Sequence, residues 1–533
     1  MAESDLIRMG IAGLDAIFRG GIPKGNAILV EGAAGTGKTL LGMEFIYRGA
    51  TQYGEPGLIV TFEVAPRKLI RDAAGFGWDL EGLQQQNRVK TIFTSPQVLS
   101  QELRSPDSLL LETASEMGAQ RILIDGISLL RAVPNGLNHG GEENGNSVGW
   151  YRQILHQLLE GLQRENLTAM LTHEVTAIEQ QAFALEVTEF LVDTVIVLRR
   201  QQNGRSSHRS LEVTKSRGQG FEDGQHTLRI TAGQGLEVFR RVQAPPIDPS
   251  RGTQPTSSIR QSVIGSGPLD ELFGGGVFDG SVTLVAGASG VGKTVLGTQL
   301  LLEGAKDGRR GLMVSLDEHP EQVMRNAETL GLNLRQHLDS GVIQFFYDCP
   351  REMELDVHFA RITRVIEAHN VERLIIDGMS SYMSALGDER VYREFFHALV
   401  SYTKERLMTT FMSYENPELF GVTHFMPDFP VSSIVDNIVL LNYVELGNNL
   451  RRAITVAKCR GSGHQFATRE FTVGLGGITL LPVDESVALP ALPFQSYYGL
   501  LSRAPTRLSP RLPRDGGEAP DARAAAPQQR RRR

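Results

Sequence analysis

Along this chain, short unbroken apolar runs rich in β-branched residues alternate with longer stretches whose apolar positions recur at helical spacing. Ala27-Ile28-Leu29-Val30-Glu31, Gly57 through Phe62, and Ile122-Leu123-Ile124-Asp125 show no apolar–polar alternation. A strand with that pattern has both faces covered. The reading is therefore a mostly parallel sheet flanked by helices, the α/β class.

The pattern is written twice. Gly32-Ala33-Ala34-Gly35-Thr36-Gly37-Lys38-Thr39 returns as Gly287-Ala288-Ser289-Gly290-Val291-Gly292-Lys293-Thr294, 255 positions on. Arg121-Ile122-Leu123-Ile124-Asp125-Gly126 is answered by Arg373-Leu374-Ile375-Ile376-Asp377-Gly378. Lys215-Ser216-Arg217-Gly218 is answered by Lys458-Cys459-Arg460-Gly461. Landmarks kept in one order mark a duplicated domain rather than a short solenoid unit. The expected division is a first domain at 1–243, a linker at 244–258, a second domain at 259–482 and a basic tail at 483–533. The linker carries Pro245, Pro246, Pro249 and Ser250, and closes on Thr256-Ser257-Ser258, a composition that packs poorly. The tail ends in Arg530 through Arg533 and lacks apolar periodicity.

Each glycine-rich segment lies between an apolar strand and an amphipathic helix, the setting of a phosphate-binding loop. Backbone N–H groups there wrap phosphates, and the helix adds the positive end of its dipole. Expected nucleotide contacts are Gly32, Gly35, Thr36, Gly37, Lys38, Thr39 and Leu40 in the first copy. In the second they are Gly287, Gly290, Val291, Gly292, Lys293, Thr294 and Val295. The lysines reach β- and γ-phosphates; Thr39 and Thr294, with Asp125 and Asp377 at strand ends, are expected Mg²⁺ ligands. The chain thus reads as two tandem RecA-like P-loop NTPase domains binding ATP and Mg²⁺.

Hydrolysis or transfer needs a carboxylate beside the attacking group. Glu63 is the candidate in the first copy, Asp317 and Glu318 in the second. Lys215 with Arg217, and Lys458 with Arg460, stand two apart on late strands and so share a face. Such a pair can reach a neighbour's γ-phosphate in a ring ATPase. His173-Glu174 and Tyr414-Glu415 end another strand in each copy; they read equally as γ-phosphate sensors or as ordinary strand-end polarity.

The formal charge of −7 and the absence of a basic–aromatic groove argue against a nucleic-acid partner. Two cysteines, Cys349 and Cys459, make no disulfide framework and suit a reducing compartment. Met1 through Asp5 lacks a signal peptide's basic and apolar regions, and no apolar run approaches bilayer length. A soluble cytoplasmic protein is expected.

The wording around these motifs resembles the KaiC family of double-domain ATPases and autokinases. Gly20-Gly21-Ile22-Pro23-Lys24-Gly25, Gly75-Phe76-Gly77-Trp78-Asp79, Leu269 through Gly276 and Ile438 through Glu445 carry the resemblance. It spans about Ile7 to Pro482. It implies a homohexamer of two stacked rings with ATP at every subunit interface, the Lys-x-Arg pairs acting across it. It also implies signalling or clock partner proteins and serine/threonine autokinase activity. The family's adjacent phosphoacceptors fall on Ser432 and Ser433, opposite Glu189 and Phe190 of the first copy. Several positions depart from the family: Val64 stands beside Glu63, Asp317 replaces the base glutamate, Pro427 replaces a further threonine, and nothing after Val483 matches. The expected activity is ATP hydrolysis with serine autophosphorylation as a timing or signalling switch. A nucleic-acid-dependent RecA-like ATPase and an ATP-assembled scaffold stand as alternatives.

Overall fold

A computed structural model of the chain describes residues 5–103, 108–132, 147–175, 186–203, 206–245, 261–262, 264–265, 267–350, 353–416, 431–446, 449–465 and 467–482. Most of the expected linker, the tail and Pro427 lie outside the described residues.

The first copy builds nine strands into one sheet. They are β1 (Ala27–Gly32), β2 (Gly57–Thr61), β3 (Val89–Phe93), β4 (Arg121–Asp125), β5 (Thr168–Glu174), β6 (Thr194–Asn203), β7 (Ser206–Ser216), β8 (Gln225–Thr231) and β9 (Gly235–Phe239). Their order is β9-β8-β7-β6-β1-β5-β4-β2-β3. The six strands from β6 to β3 run parallel, and β7 to β9 extend the sheet antiparallel. The second copy repeats this order with β10 (Val282–Gly287), β11 (Gly311–Ser315), β12 (Ile343–Tyr347), β13 (Arg373–Asp377), β14 (Thr409–Glu415), β15 (Asn437–Leu446), β16 (Asn449–Cys459), β17 (Thr468–Gly474) and β18 (Gly477–Leu480).

Burial explains the unbroken apolar runs. Every residue of β1, β2, β4, β10, β11 and β13 is buried. Alternate side chains of β1 enter two separate cores, Ile28 and Val30 on one face, Ala27 and Leu29 on the other. Val285 and Leu284 of β10 divide in the same way.

Of the helices, six bear on the site: α1 (Lys38–Arg48), α2 (Glu186–Leu191), α3 (Lys293–Lys306), α4 (Leu355–His369), α5 (Met379–Leu386) and α6 (Val431–Ile434). Buried Arg121 and Arg373 open β4 and β13 and donate to carbonyls of the P-loop helices. Arg121 bonds Phe45 O at 2.8 Å, and Arg373 bonds Leu300 O.

The two copies also meet. Glu354, just before α4, accepts from Arg229 of β8 and pairs with His208 of β7 at 3.2 Å. Asp356 accepts from Thr227 Oγ1 at 2.7 Å and Val242 N at 2.9 Å. The antiparallel edge of the first sheet is thereby bound to the second domain. Among the described residues, no helix is long and apolar enough to cross a membrane.

Candidate functional site

In each copy β1 or β10 ends in the glycine-rich loop, and the loop feeds directly into α1 or α3. Gly32 and Gly287 are required by close approach: a Cβ would stand 2.5 Å from Leu198 O and 2.2 Å from Leu441 O. Gly37 and Gly292 open the helices with φ of 111° and 122°, a conformation open to glycine. Lys38 Nζ donates to Gly32 O and Ala33 O, both at 2.9 Å; Lys293 repeats this with Gly287 O and Ala288 O. Burial lowers both lysine pKa values, against the raising effect of Glu174 on Lys38 and of Glu415 on Lys293. An amine bound to its own loop's carbonyls and short of solvent is poised for an anion.

Behind each lysine sits a threonine–aspartate pair. Thr39 Oγ1 donates to both carboxylate oxygens of Asp125 at 3.0 Å, and Thr294 Oγ1 donates to Asp377 Oδ2 at 2.8 Å. Among the described residues no group of three or more His, Cys, Asp or Glu could hold a metal. One hydroxyl beside one carboxylate fits Mg²⁺, which keeps most of its shell for water and phosphate.

Two residues of this network escaped the sequence reading. Thr172 Oγ1 donates to Asp125 Oδ1 at 2.6 Å and accepts from Gly126 N at 2.8 Å. Ser413 does the same, donating to Asp377 Oδ1 and accepting from Gly378 N at 2.9 Å. A hydroxyl one position before His173 and Tyr414 in both copies was the available signal. Burial raises the Asp377 pKa, opposed by the hydrogen bonds from Ser413 and Thr294.

The carboxylates after β2 and β11 occupy equivalent turns. Thr61 Oγ1 bonds Val64 O and Ser315 Oγ bonds Glu318 O, so Glu63 matches Asp317 and Val64 matches Glu318. Glu63 is exposed. In the second copy Asp317 and Glu318 line a cavity of about 300 Å³ with Gly290, Lys293, Thr294 and Asp377. Burial first, then the charges of Asp377 and Asp317, raise the Glu318 pKa. Glu415 lines the same cavity; His173 is buried.

The Lys-x-Arg pairs grip one turn per domain. Lys215 Nζ donates to Glu189 O and Val192 O at 2.6 Å, and Arg217 to Phe190 O at 3.0 Å. Lys458 Nζ donates to Val435 O at 2.6 Å, and Arg460 to Ser433 O at 3.0 Å. Lys215 and Lys458 lie within β7 and β16, whereas Arg217 and Arg460 fall just past the strand ends. A bulge at Thr214 and Ala457 precedes each lysine. The shared contacts make Ser433 the structural counterpart of Phe190. Ser432 and Ser433 belong to α6; the Ser432 side chain lies outside what is described.

Two nine-stranded sheets, each ending a central strand in a lysine-bearing glycine loop beside a threonine–aspartate pair, define a tandem RecA-like P-loop protein. The sequence profile of the KaiC ATPase family matches residues 7–243 and again 264–485. The chain belongs to that family. It is 31% identical over 506 residues to the circadian clock oscillator protein KaiC of Parathermosynechococcus lividus, covering 94% of this chain and 88% of the relative. The Picosynechococcus KaiC is 31% identical over 509 residues, covering 94% and 93%. Circadian clock oscillator protein KaiC 1 of Synechocystis is 30% identical over 509 residues, covering 94% and 92%.

Proposed function

We propose that this chain hydrolyses ATP in its first domain and phosphorylates its own Ser432 and Ser433 from ATP bound in its second, as a homohexameric timing or signalling switch. In this reading residues 1–243 form the hydrolysing domain and residues 259–482 the autokinase domain. The observation that carries it is an asymmetry: the basic pair of the second domain reaches a turn bearing serines, that of the first a turn bearing Glu189 and Phe190.

Thr39 with Asp125, and Thr294 with Asp377, would hold Mg²⁺, which when bound neutralises phosphate charge. Lys38 and Lys293 leave their carbonyl partners for phosphate oxygens. Glu63 orients the water that attacks the γ-phosphorus in the first domain. In the second, a serine oxygen from the neighbouring subunit forms the new bond to the γ-phosphorus as its bond to the bridging oxygen breaks. ADP leaves, and Asp317 or Glu318 accepts the serine proton. Lys458 and Arg460 bring positive charge to the turn that gains the phosphate, where about −1.5 to −2 charges can bias the ring between two states. The KaiC names of the relatives support clock partners. An ATP-assembled scaffold would keep the loops without needing the carboxylates.

The test incubates full-length protein with Mg-ATP and maps phosphate by peptide mass spectrometry. Expected are phosphoserines at 432 and 433, and loss of most phosphate release in Glu63→Gln. An inactive Lys293→Ala chain should gain label from an active chain lacking both serines. Wild-type protein unlabelled after prolonged incubation refutes the kinase reading; Lys293→Ala removing nearly all turnover reverses the domain assignment.

A further inference from the structure

The second-domain carboxylate has a support that the first domain lacks. Ser381, in the first turn of α5, donates its hydroxyl to Asp317 Oδ1. On the other side Asp317 packs onto Gly378: a Cβ there would stand 2.6 Å from Asp317 Oδ2 and 3.0 Å from Cγ. In the first domain Leu129 occupies the place of Ser381. A Cβ on Gly126 would find nothing nearer than Leu129 Cδ1 at 3.7 Å, and no carboxylate. Asp317 is thus seated between a bare backbone and a hydroxyl, whereas neither contact recurs at Glu63 among the described residues.

The helix carrying Ser381 is itself held from behind. Tyr382, fully buried, bonds His358 Nε2 at 2.7 Å, and His358 Nδ1 bonds Asp348 Oδ2 at 2.9 Å. A carboxylate only accepts, so His358 Nδ1 donates to Asp348. The position equivalent to Tyr382 in the first domain is Leu130, an apolar core residue. This buried chain fixes the rotation of α5 about its axis, and with it the direction of the neighbouring hydroxyl.

We propose that Ser381 is a positioning residue that holds Asp317 towards the second-domain nucleotide. This rests on the reading of Asp317 as the acceptor of the attacking hydroxyl's proton. An aspartate is one methylene shorter than a glutamate, so a fixed direction matters more to its reach. As the oxygen–phosphorus bond forms and the bridging bond to ADP breaks, the proton passes to Asp317; Ser381 only sets where that carboxylate stands.

The test uses the full-length chain carrying Glu63→Gln, with Ser381→Ala, Ser381→Thr or Asp317→Asn added. Phosphate release and phosphoserine are summed across an ATP series, and phosphopeptides are mapped. Ser381→Ala should lower kcat about tenfold with KM for ATP unchanged, and Ser381→Thr, which keeps the hydroxyl, should restore it to within about twofold. Asp317→Asn should fall at least as far. Ser381→Ala matching its background while Asp317→Asn is inactive overturns the positioning role and spares Asp317. Asp317→Asn matching the background refutes the underlying reading instead. A changed KM, a Thr variant no better than Ala, or phosphate found on Ser381 itself would each overturn the proposal.

Discussion

Thr172→Val isolates one oxygen at the first-domain site. Valine keeps the shape and replaces the hydroxyl of a residue that is 1% exposed. That oxygen makes two bonds, donating to Asp125 at 2.6 Å and accepting from Gly126 N at 2.8 Å. A hydrogen bond to a charged group contributes about 1.5–3 kcal/mol, and an orphaned buried N–H costs about 1–3 kcal/mol. The added methyl returns about 0.8 kcal/mol. The net loss centres at about 3.5 kcal/mol. At a urea slope of about 3 kcal/mol/M, the midpoint falls by about 1 M. The assay is simple because both tryptophans, Trp78 and Trp150, belong to the first domain. Their fluorescence follows unfolding of the nucleotide-free first domain. Ser413→Ala, the equivalent change in the second domain, should leave that transition in place. A Thr172→Val shift below about 0.2 M would refute the accounting and reduce Thr172 to an inert core position.

Assembly should depend on nucleotide: Lys38→Ala is expected to give mostly monomers or dimers in ATP by light scattering, and a stable nucleotide-free hexamer of it would contradict the interface reading. At the seam between domains, burial raises the Asp356 pKa above the ordinary aspartate value. The folded state then binds this proton more tightly than the unfolded chain. Its charge penalty is full above the folded pKa and disappears as pH falls to the unfolded value. Asp356→Asn, which can donate to Thr227 and accept from Val242 N, should melt at or above wild type at pH 8, the gap narrowing towards pH 5. Asp356→Ala should lose about 2–3 kcal/mol by orphaning those partners, and equal melting of the Asn and Ala variants would refute the hydrogen-bonding account.

Much of the frame was legible because it is local. A glycine loop, its lysine and the strand before it lie within about a dozen residues, and chain direction alone fixes their order. Asp125 and Asp377 could be read because each closes an apolar strand in a repeated phrase. Thr172 could not: it meets Asp125 only because β5 lies beside β4, 47 positions apart in sequence. His173 is the conspicuous residue of that strand end, yet its ring is buried, and the smaller hydroxyl beside it is the one that meets Asp125. Glu354 and Asp356 look like the acidic start of a helix. Their role at the seam comes from an edge of the first sheet more than 100 residues earlier.

Duplication explains why the two sites share a frame and still differ. The sheet order, the Lys–carbonyl contacts, the Thr–Asp pair and the hydroxyl behind it recur, and each depends on backbone positions that a substitution would disturb at several points at once. Divergence shows in the side chains around that frame. Glu63 becomes Asp317, Val64 becomes Glu318, Leu129 becomes Ser381 and Phe190 becomes Ser433. Val64 to Glu318 adds a carboxylate to the second site and Leu129 to Ser381 adds a hydroxyl beside Asp317, and Glu318 carries a raised pKa because burial and two neighbouring carboxylates oppose its charge. A site that only positions water needs one acceptor. Under the proposed autokinase function, a site that must also seat a serine from another chain needs its acceptors held, as Ser381 and Gly378 hold Asp317.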